Sequence, residues 1–314
     1  MHSNGRCVLI AFLILLSTNI SACFRQDQGR GDPAGADSNA TKMPLSGSRK
    51  QKAKALVDFG KISGQMGKFE QARDYFKQAL KFDAKNPQAH HGLGLASAKS
   101  NHLHEAIPQF QKAIELKPNY TEAYCNLGLA YMKMQQSDLA LEKWKAGLAT
   151  NRKHGPTHLA LGEFYKNQGD NKKSIAHLLE AIRLMPKDHR PHELLARLYL
   201  DQGLHRSAAP EFREVLKLAP KKSKAHIRAL FSLGSIYHNE NMLDKAANLY
   251  GKLLDVEKHH MGALINLGSI NFQRGELEKA RTHFERAYAL DTSNQWLAKQ
   301  LKRLGQLLRG RRKQ

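Results

Sequence analysis

The sequence has few cysteines, few aromatic residues and no long apolar run. Three cysteines in 314 residues are too few for a disulfide-stapled scaffold. Ten prolines, without long β-branched runs, argue against a β-sandwich. The N-terminal apolar stretch, residues 7–16, is about half of the roughly 20 residues that a membrane-spanning helix needs. The chain is nevertheless 41% apolar, which supports a buried core and excludes wholesale disorder.

The N-terminus has the pattern of a signal for export. Residues 1–22 contain Arg6, the apolar stretch and a small-residue exit, which together predict a signal peptide. Ile20-Ser21-Ala22-Cys23 resembles the lipobox of bacterial lipoproteins. The resemblance implies that residues 1–22 are removed and that Cys23 carries a diacylglyceryl thioether and an acylated amine, with fatty acids such as palmitate. The alternatives are an ordinary signal peptide with an incidental Cys23, or an uncleaved anchor.

Two further predictions follow from the lipoprotein resemblance. Enterobacterial lipoproteins are retained at the inner membrane when Asp follows the lipidated cysteine, so Phe24 favours the bacterial outer membrane, with the chain facing the periplasm. Residues 23–50 are rich in Gly, Ser, Ala, Asp and Asn without apolar periodicity, and this composition predicts a flexible tether.

Small residues recur along the rest of the chain at one constant spacing, which is broken once by a slightly longer step. One set is Gly60, Gly94, Gly128, Gly162, Ala196, Gly234 and Gly268, and a second set lies twelve residues later, at Ala72, Ala106, Ala140, Ser174, Ala208, Ala246 and Ala280. The longer step marks a four-residue insertion near 223–226, close to one helical turn, so we expect it to lengthen a helix.

A large apolar residue follows each member of the second set by four positions. These residues are Phe76, Phe110, Trp144, Leu178, Phe212, Tyr250 and Phe284. The i, i+4 spacing places both residues on one helix face. Glycine inside a helix lowers the stability of the helix by about 1 kcal/mol relative to alanine. Glycines that recur at the same position of the repeating unit therefore need a compensating gain. They predict two helices packed nearly backbone to backbone. Glycines at Gly67, Gly169, Gly203 and Gly275 predict turns between the helices.

These residues resemble the tetratricopeptide repeat, and the second unit shows the pattern nearly in full with Leu93-Gly94, Ala106, Phe110, Ala113 and Pro118. The resemblance implies an all-α fold, an α-solenoid (superhelix) of seven helix-turn-helix repeats. The repeats are placed at 53–86, 87–120, 121–154, 155–188, 189–222, 227–260 and 261–294, together spanning 53–294. We expect residues 295–309 to form a capping helix over the last repeat and residues 310–314 to form a basic tail.

The resemblance also implies a partner-binding groove, because the first helix of each repeat lines the concave side in this family. The predicted groove residues are Lys99, Asn126, Leu129, Met132, Lys133, Arg190, Arg197, Arg228, Phe231, Asn266 and Phe272. An apolar strip flanked by cations suits an amphipathic or acidic segment of another protein. Asn126 and Asn266 lie where family members often hydrogen-bond a ligand backbone, and the alternative is simple solvent exposure.

Positive charge dominates the chain, with 50 Lys and Arg against 28 Asp and Glu, a formal net charge of +22. A third of this excess lies in the segment 295–314. Such a segment suits anionic lipid headgroups, an acidic protein or a glycan, or it aids solubility alone. Nucleic acid is the usual target of a basic tail, but an exported lipoprotein rarely meets it, so none is expected.

Signals for catalysis are weak. His90, His158 and His192 recur at one repeat phase, which indicates packing or helix-flank positions. His192-Glu193 begins a zinc-protease motif, but Ala196 stands where the second histidine is required. Every folded segment is assigned to a repeat, so we expect no enzyme, no catalytic residue, no metal and no cofactor.

The order of lipobox, tether and repeats resembles the PilF, PilW and Tgl lipoproteins of type IV pilus biogenesis. This resemblance implies a membrane-anchored scaffold that binds an envelope protein in its groove and assists assembly of the secretin pore. The alternative is an adaptor resembling NlpI, which recruits peptidoglycan-remodelling enzymes.

Overall fold

The computed structural model describes residues 47–311, which fold into 15 α-helices without a β-strand. The signal peptide, Cys23 and the predicted tether as far as residue 46 lie outside the described residues, as do residues 312–314. No helix within residues 47–311 combines the length and apolar character that crossing a bilayer requires.

The described chain divides into two compact units, of which unit 1 ends at Leu184. Unit 1 consists of four helix pairs. Its helices are α1 Arg49–Gln65, α2 Phe69–Phe82, α3 Pro87–Lys99, α4 Leu103–Leu116, α5 Thr121–Lys133, α6 Ser137–Thr150, α7 Gly155–Asn167 and α8 Asn171–Leu184.

Unit 2 begins at Met185 and consists of three helix pairs and a terminal helix. Its helices are α9 His189–Asp201, α10 His205–Leu218, α11 Lys224–Asn239, α12 Leu243–Val256, α13 Met261–Gln273, α14 Leu277–Leu290 and α15 Gln295–Arg311. Helix α15 packs against α14.

The helices stack in the same way inside each unit. Every first helix packs against its own second helix, and that second helix packs against the next first helix of the unit. Successive first helices also touch, α1 with α3, α3 with α5 and α5 with α7 in unit 1, and α11 with α13 in unit 2. This serial packing of helix pairs is the arrangement of an α-solenoid, so the predicted fold class is confirmed.

The repeated glycines face the large apolar side chains of the second helices. A Cβ atom built on each glycine of the first set would lie 2.4 to 2.9 Å from the large side chain on the second helix of the same repeat. These pairs are Gly60 with Phe76, Gly94 with Phe110, Gly128 with Trp144, Gly162 with Leu178, Gly234 with Tyr250 and Gly268 with Phe284. The predicted close approach is therefore mainly helix backbone against a ring, rather than backbone against backbone.

Each turn between a first and a second helix contains one residue in the left-handed region, with φ between 58° and 76°. These residues are Gly67, Asn101, Gln135, Gly169, Gly203, Asn241 and Gly275. Glycine adopts this conformation without strain, whereas a side chain at the same φ is disfavoured. The four turns predicted from glycine are present, and the other three use Asn or Gln.

Three helix ends differ from, or refine, the sequence-based boundaries. Ser48 and Gln51 form a capping box that starts α1 at Arg49, two residues inside the predicted tether of 23–50. Helix α15 continues to Arg311, past the predicted end at residue 309. Helix α11 has 16 residues where α9 and α13 have 13, so the insertion lengthens a helix as expected.

Candidate protein-binding faces

A cavity of about 50 Å³ lies on unit 1 among α1, α2, α3 and the start of α5. Its apolar floor exists because Gly60 and Gly92 lack side chains and the Phe76 ring lies directly beneath both. Leu95 completes the apolar lining. The volume exceeds the 10–15 Å³ or so that a single water needs, and it suits a small apolar side chain.

Polar groups also line this cavity, and His91 among them is buried. Lys61 and Gln65 belong to α1, Gln88 and His91 to α3, and Glu122 to α5. An apolar floor with polar groups beside it is the usual composition of a site that anchors one side chain and hydrogen-bonds its neighbours. We call the side of α1, α3, α5 and α7 that carries the cavity, Leu129, Met132 and Lys133 the unit 1 face.

A buried polar chain supports the unit 1 face from below. The Nδ2 atom of Asn126 lies 2.8 Å from Nε2 of His91, and Nδ1 of His91 lies 3.1 Å from the Tyr120 hydroxyl. An amide nitrogen only donates, so His91 Nε2 accepts and its Nδ1 donates to Tyr120. Asn126 is 3% exposed, and its Oδ1 is buried without a hydrogen-bond partner in the described part of the chain.

The burial of Asn126 corrects the sequence-based prediction. Asn126 neither projects into solvent nor lines the surface, because its amide is used to link α5 to His91 of α3. Its contribution in this structure is to hold the two first helices in register across one repeat.

Lys133 is the most distinctive cation of the unit 1 face. Its ammonium is partly buried, and burial lowers the pKa of this group. No carboxylate among residues 47–311 pairs with it. Leu129 and Met132, one turn of α5 or less away, are partly exposed and pack on the core. Lys99, the equivalent residue of α3, is also partly buried.

Two predicted cations of unit 2 are already neutralised by carboxylates. Arg190 binds Asp188 through Nε, at 2.9 and 3.0 Å from the two carboxylate oxygens. Burial alone would raise the pKa of Asp188, but its hydrogen bonds to Arg190 and the charge of that residue lower it. Arg228 binds the buried Glu193, with Nε 2.8 Å from Oε1. Neither arginine therefore offers a free charge to an acidic partner, contrary to the sequence-based prediction.

The other predicted residues of unit 2 lie on α9, α11 and α13, and we call their side of these helices the unit 2 face. Arg197 is partly buried without an ion pair in the described residues. The Phe231 ring packs against His260, with 5.0 Å between centroids. Asn266 donates through Nδ2 to the Tyr250 hydroxyl at 2.9 Å. The guanidinium of Arg303 covers the Phe272 ring at 5.0 Å from its centroid.

Repeat-family models match the chain over most of the two units. A model described as TPR repeat matches residues 60–101 and 98–135, and models described as tetratricopeptide repeat match 156–188, 193–250 and 239–294. Together these ranges cover about two thirds of the chain. It is a tetratricopeptide-repeat protein.

Solved structures of other tetratricopeptide-repeat proteins share this fold at low sequence identity. The C-terminal part of a repeat protein from Cytophaga hutchinsonii is 15% identical, with a TM-score of 0.60 over 78% of this chain and 99% of that one. Pseudomonas aeruginosa PilF is 18% identical, with a TM-score of 0.56 over 70% of this chain and 96% of that one.

A chain from the APC/C hetero-tetramer Cut9-Hcn1 is 16% identical, with a TM-score of 0.53 over 81% of this chain. This tetratricopeptide-repeat protein spans only 48% of the length of that chain. At these identities the likeness shows the fold alone. Comparison with curated protein sequences gave no significant match.

The histidines at one phase of the tetratricopeptide repeats bond to the second helix. The Nδ1 atoms of His90, His158 and His192 lie 2.7, 3.0 and 2.7 Å from Gln109, His177 and Glu211, in that order. Each partner belongs to the second helix of the same repeat, so this phase links the two helices of one repeat. Within the described residues no three His, Cys, Asp or Glu side chains form a group that could hold a metal ion.

Sequence reasoning missed the cavity of the unit 1 face. Its signal is an additional glycine, Gly92, two residues before the glycine that the repeat pattern requires. A Cβ at Gly92 would lie 2.4 Å from the Phe76 ring, so the packing of that ring requires glycine there. Gly64, one turn after Gly60, enlarges the same space.

Proposed function

We propose that this tetratricopeptide-repeat protein is a non-catalytic scaffold, lipid-anchored through Cys23 to the bacterial outer membrane and facing the periplasm. In this proposal the unit 1 face binds a segment of an envelope protein during assembly of a type IV pilus secretin. The repeat fold supports the scaffold role, because stacked helix pairs leave long faces that bind other proteins.

The observation that carries the binding proposal is the partly buried, unpaired ammonium of Lys133 beside Leu129 and Met132. Removing a charge from water without a counter-ion is unfavourable, and a carboxylate placed against it recovers part of that loss. The two apolar side chains next to it supply area for a hydrophobic contact. The unit 1 face therefore suits a segment with an acidic residue next to apolar ones.

The cavity adds a second anchor point on the same face. It lies on α1 and α3, whereas Lys133 ends α5, so an occupant that reaches both must run across successive first helices. An extended segment crosses such a distance with few residues, because it advances about 3.3 Å per residue. We expect an apolar side chain in the cavity and a carboxylate at Lys133.

The envelope role rests on the order of features along the chain. The predicted lipobox at Cys23, the predicted tether and the repeats that follow resemble the layout of the pilus lipoproteins, and PilF has a similar repeat fold. The TM-score of 0.56 to PilF supports a common fold at 18% identity, and the pilus role is the part of the proposal that needs the experiment below.

The experiment replaces the chromosomal gene with a Lys133→Glu variant in the bacterium that encodes the protein. We expect heat-resistant secretin multimers to fall several-fold, because the substitution repels an acidic partner. Lys145→Glu, the same charge change at an exposed position of α6, is the matched control and should leave the multimers unchanged. Normal multimers in both the Lys133→Glu strain and a deletion strain would refute the pilus role. Co-sedimentation of the protein with purified sacculi would then favour the peptidoglycan adaptor.

A further inference from the structure

Helix α15 differs from every other helix of unit 2 in its charge. Residues 295–314 contain seven Lys and Arg and no Asp or Glu. Elsewhere on the same unit, cations of the second helices pair with carboxylates three or four residues away, as Lys217 does with Glu214 and Arg281 with Glu285. The sequence of α15 contains no carboxylate that could form such a pair.

The inner side of α15 fixes the helix on unit 2. Leu297 and Leu304 are fully buried, and Leu301 and Leu308 pack against the same core. The helix therefore presents one constant side to solvent.

The outer side of α15 carries a stripe of exposed cations. Lys299, Lys302 and Arg309 are exposed and follow spacings of three and seven residues, which place them on one side of a helix. The stripe is about 15 Å long at 1.5 Å per residue. None of the three pairs with a carboxylate in the described part of the chain.

Two large apolar side chains beside the stripe are also exposed. Trp296 is 47% exposed, and its ring is perpendicular to the Phe284 ring with 5.7 Å between the centroids; Leu307 is 41% exposed. Trp favours the boundary between water and lipid, because its ring is apolar and its N–H is polar. Exposed cations with Trp and Leu beside them are the composition of a helix that lies on an anionic membrane.

We infer that the exposed side of α15 binds an anionic phospholipid surface, with Lys299, Lys302 and Arg309 on the headgroups and Trp296 at the lipid boundary. A row of exposed cations along one side of a helix fits a flat array of negative charges better than a single anion or a peptide. The like charge of the stripe opposes a second copy of this chain. This attraction does not require the lipid on Cys23 or the pilus role.

The two tryptophans of the chain make the proposal directly measurable. Trp144 is 2% exposed in the core of unit 1, so its emission should not respond to a membrane. Trp296 is half in water, so its emission should shift to shorter wavelength when α15 meets lipid. Loss of the emission shift in the Trp296→Phe variant would assign the shift to Trp296.

The experiment mixes the unlipidated full chain with vesicles of phosphatidylcholine and phosphatidylglycerol, or with vesicles of phosphatidylcholine alone. We expect binding and the emission shift with the anionic vesicles only, and loss of both at high salt. The variant Lys299→Gln/Lys302→Gln/Arg309→Gln should bind at least tenfold more weakly, because each cation near the surface contributes to the attraction. The apolar N-terminal stretch is the same in every variant, so differences between variants report on α15.

The matched control is Lys77→Gln/Lys145→Gln/Lys172→Gln, which removes the same charge from exposed positions of α2, α6 and α8. Its binding should remain close to that of the unmodified chain. An equal loss in both triple variants would overturn the proposal, since binding would then follow net charge alone. Binding to purified sacculi or to DNA without an emission shift on anionic vesicles would also overturn it.

Discussion

The indole of Trp144 occupies the space that a side chain on Gly128 would need. A Cβ atom on Gly128 would lie 2.4 Å from the indole nitrogen, and that nitrogen donates to the Cys125 carbonyl at 3.1 Å. Trp144 is thus held by a hydrogen bond at the point where it touches the neighbouring helix. The repeat therefore requires glycine at this position, because the ring opposite leaves no space for a side chain.

We predict that Gly128→Ala destabilises unit 1 by about 1–3 kcal/mol, because the added methyl group forces the indole to move. The measurement is the urea midpoint of unfolding, followed by helical circular dichroism. The matched control is Gly251→Ala in α12, where a Cβ would meet nothing within 4 Å. That change should stabilise the protein by about 0.5–1 kcal/mol through helix propensity. A shift of the urea midpoint in the same direction for Gly128→Ala and Gly251→Ala would contradict this packing argument.

Substitutions at two turn residues in the left-handed region should change the stability of the protein in opposite directions. Gly169 has φ of 76° with open space around it, so Gly169→Ala should cost about 1–2 kcal/mol from backbone strain alone. Gln135 has φ of 61° with a side chain, so Gln135→Gly should raise the urea midpoint slightly. A lower midpoint for Gln135→Gly would show that its side chain contributes more than the strain costs.

Stability should fall as the pH drops from 7.5 to 5.5. Burial lowers the pKa of His154, with the charge of Glu122 opposing the shift, so the folded chain keeps this ring neutral below its ordinary pKa of 6.5. As the pH falls, the unfolded chain binds the proton before the folded chain does. The stability that the neutral ring contributes is therefore fully present above a pH of about 6.5 and is lost as the pH falls below it. Burial lowers the pKa of His177, His226 and His238 in the same direction.

The pH effect of His154 is measured as the difference in urea midpoint between pH 7.5 and 5.5. His154→Gln should reduce this difference by an amount corresponding to on the order of 1 kcal/mol. His259→Gln, at an exposed position, is the matched control. An unchanged difference in the His154 variant would mean that the buried ring does not govern the acid response.

The proposed lipid anchor predicts that Cys23→Ala releases the protein from membranes, because several lipid chains on one residue would hold it far more firmly than contacts of the folded units. The measurement is fractionation of the envelope at high salt, which removes electrostatic attachment of α15. Ser21→Ala, two residues earlier, keeps a small residue in the lipobox and serves as the control. Retention of the Cys23→Ala chain at high salt would contradict the lipid anchor.

The repeat fold could be predicted from the sequence because its determinants are local and periodic. Gly128 and Trp144 lie on the two helices of one repeat, and the equivalent pair recurs at each repeat that has a glycine at this phase. The lengthening of α11 by the insertion was equally predictable, since four residues approximate one helical turn.

The candidate sites were predicted less well because they depend on contacts between repeats. Asn126 meets His91, and Arg228 meets Glu193, and in both cases the partner belongs to the first helix of the preceding repeat. No local pattern indicates which carboxylate or ring will lie opposite a given side chain on the next helix. The sequence therefore identified the helices that carry these residues, but not whether their charges and amides are already bonded.

The most direct test of the scaffold proposal is site-specific photocrosslinking in living cells. A photoreactive amino acid at Leu129, on the unit 1 face, should crosslink to the secretin subunit of the pilus. The same amino acid at Lys145, exposed on the second helix of that repeat, should give no such product. Absence of an envelope-protein crosslink from position 129, or identical products from both positions, would contradict binding at the unit 1 face.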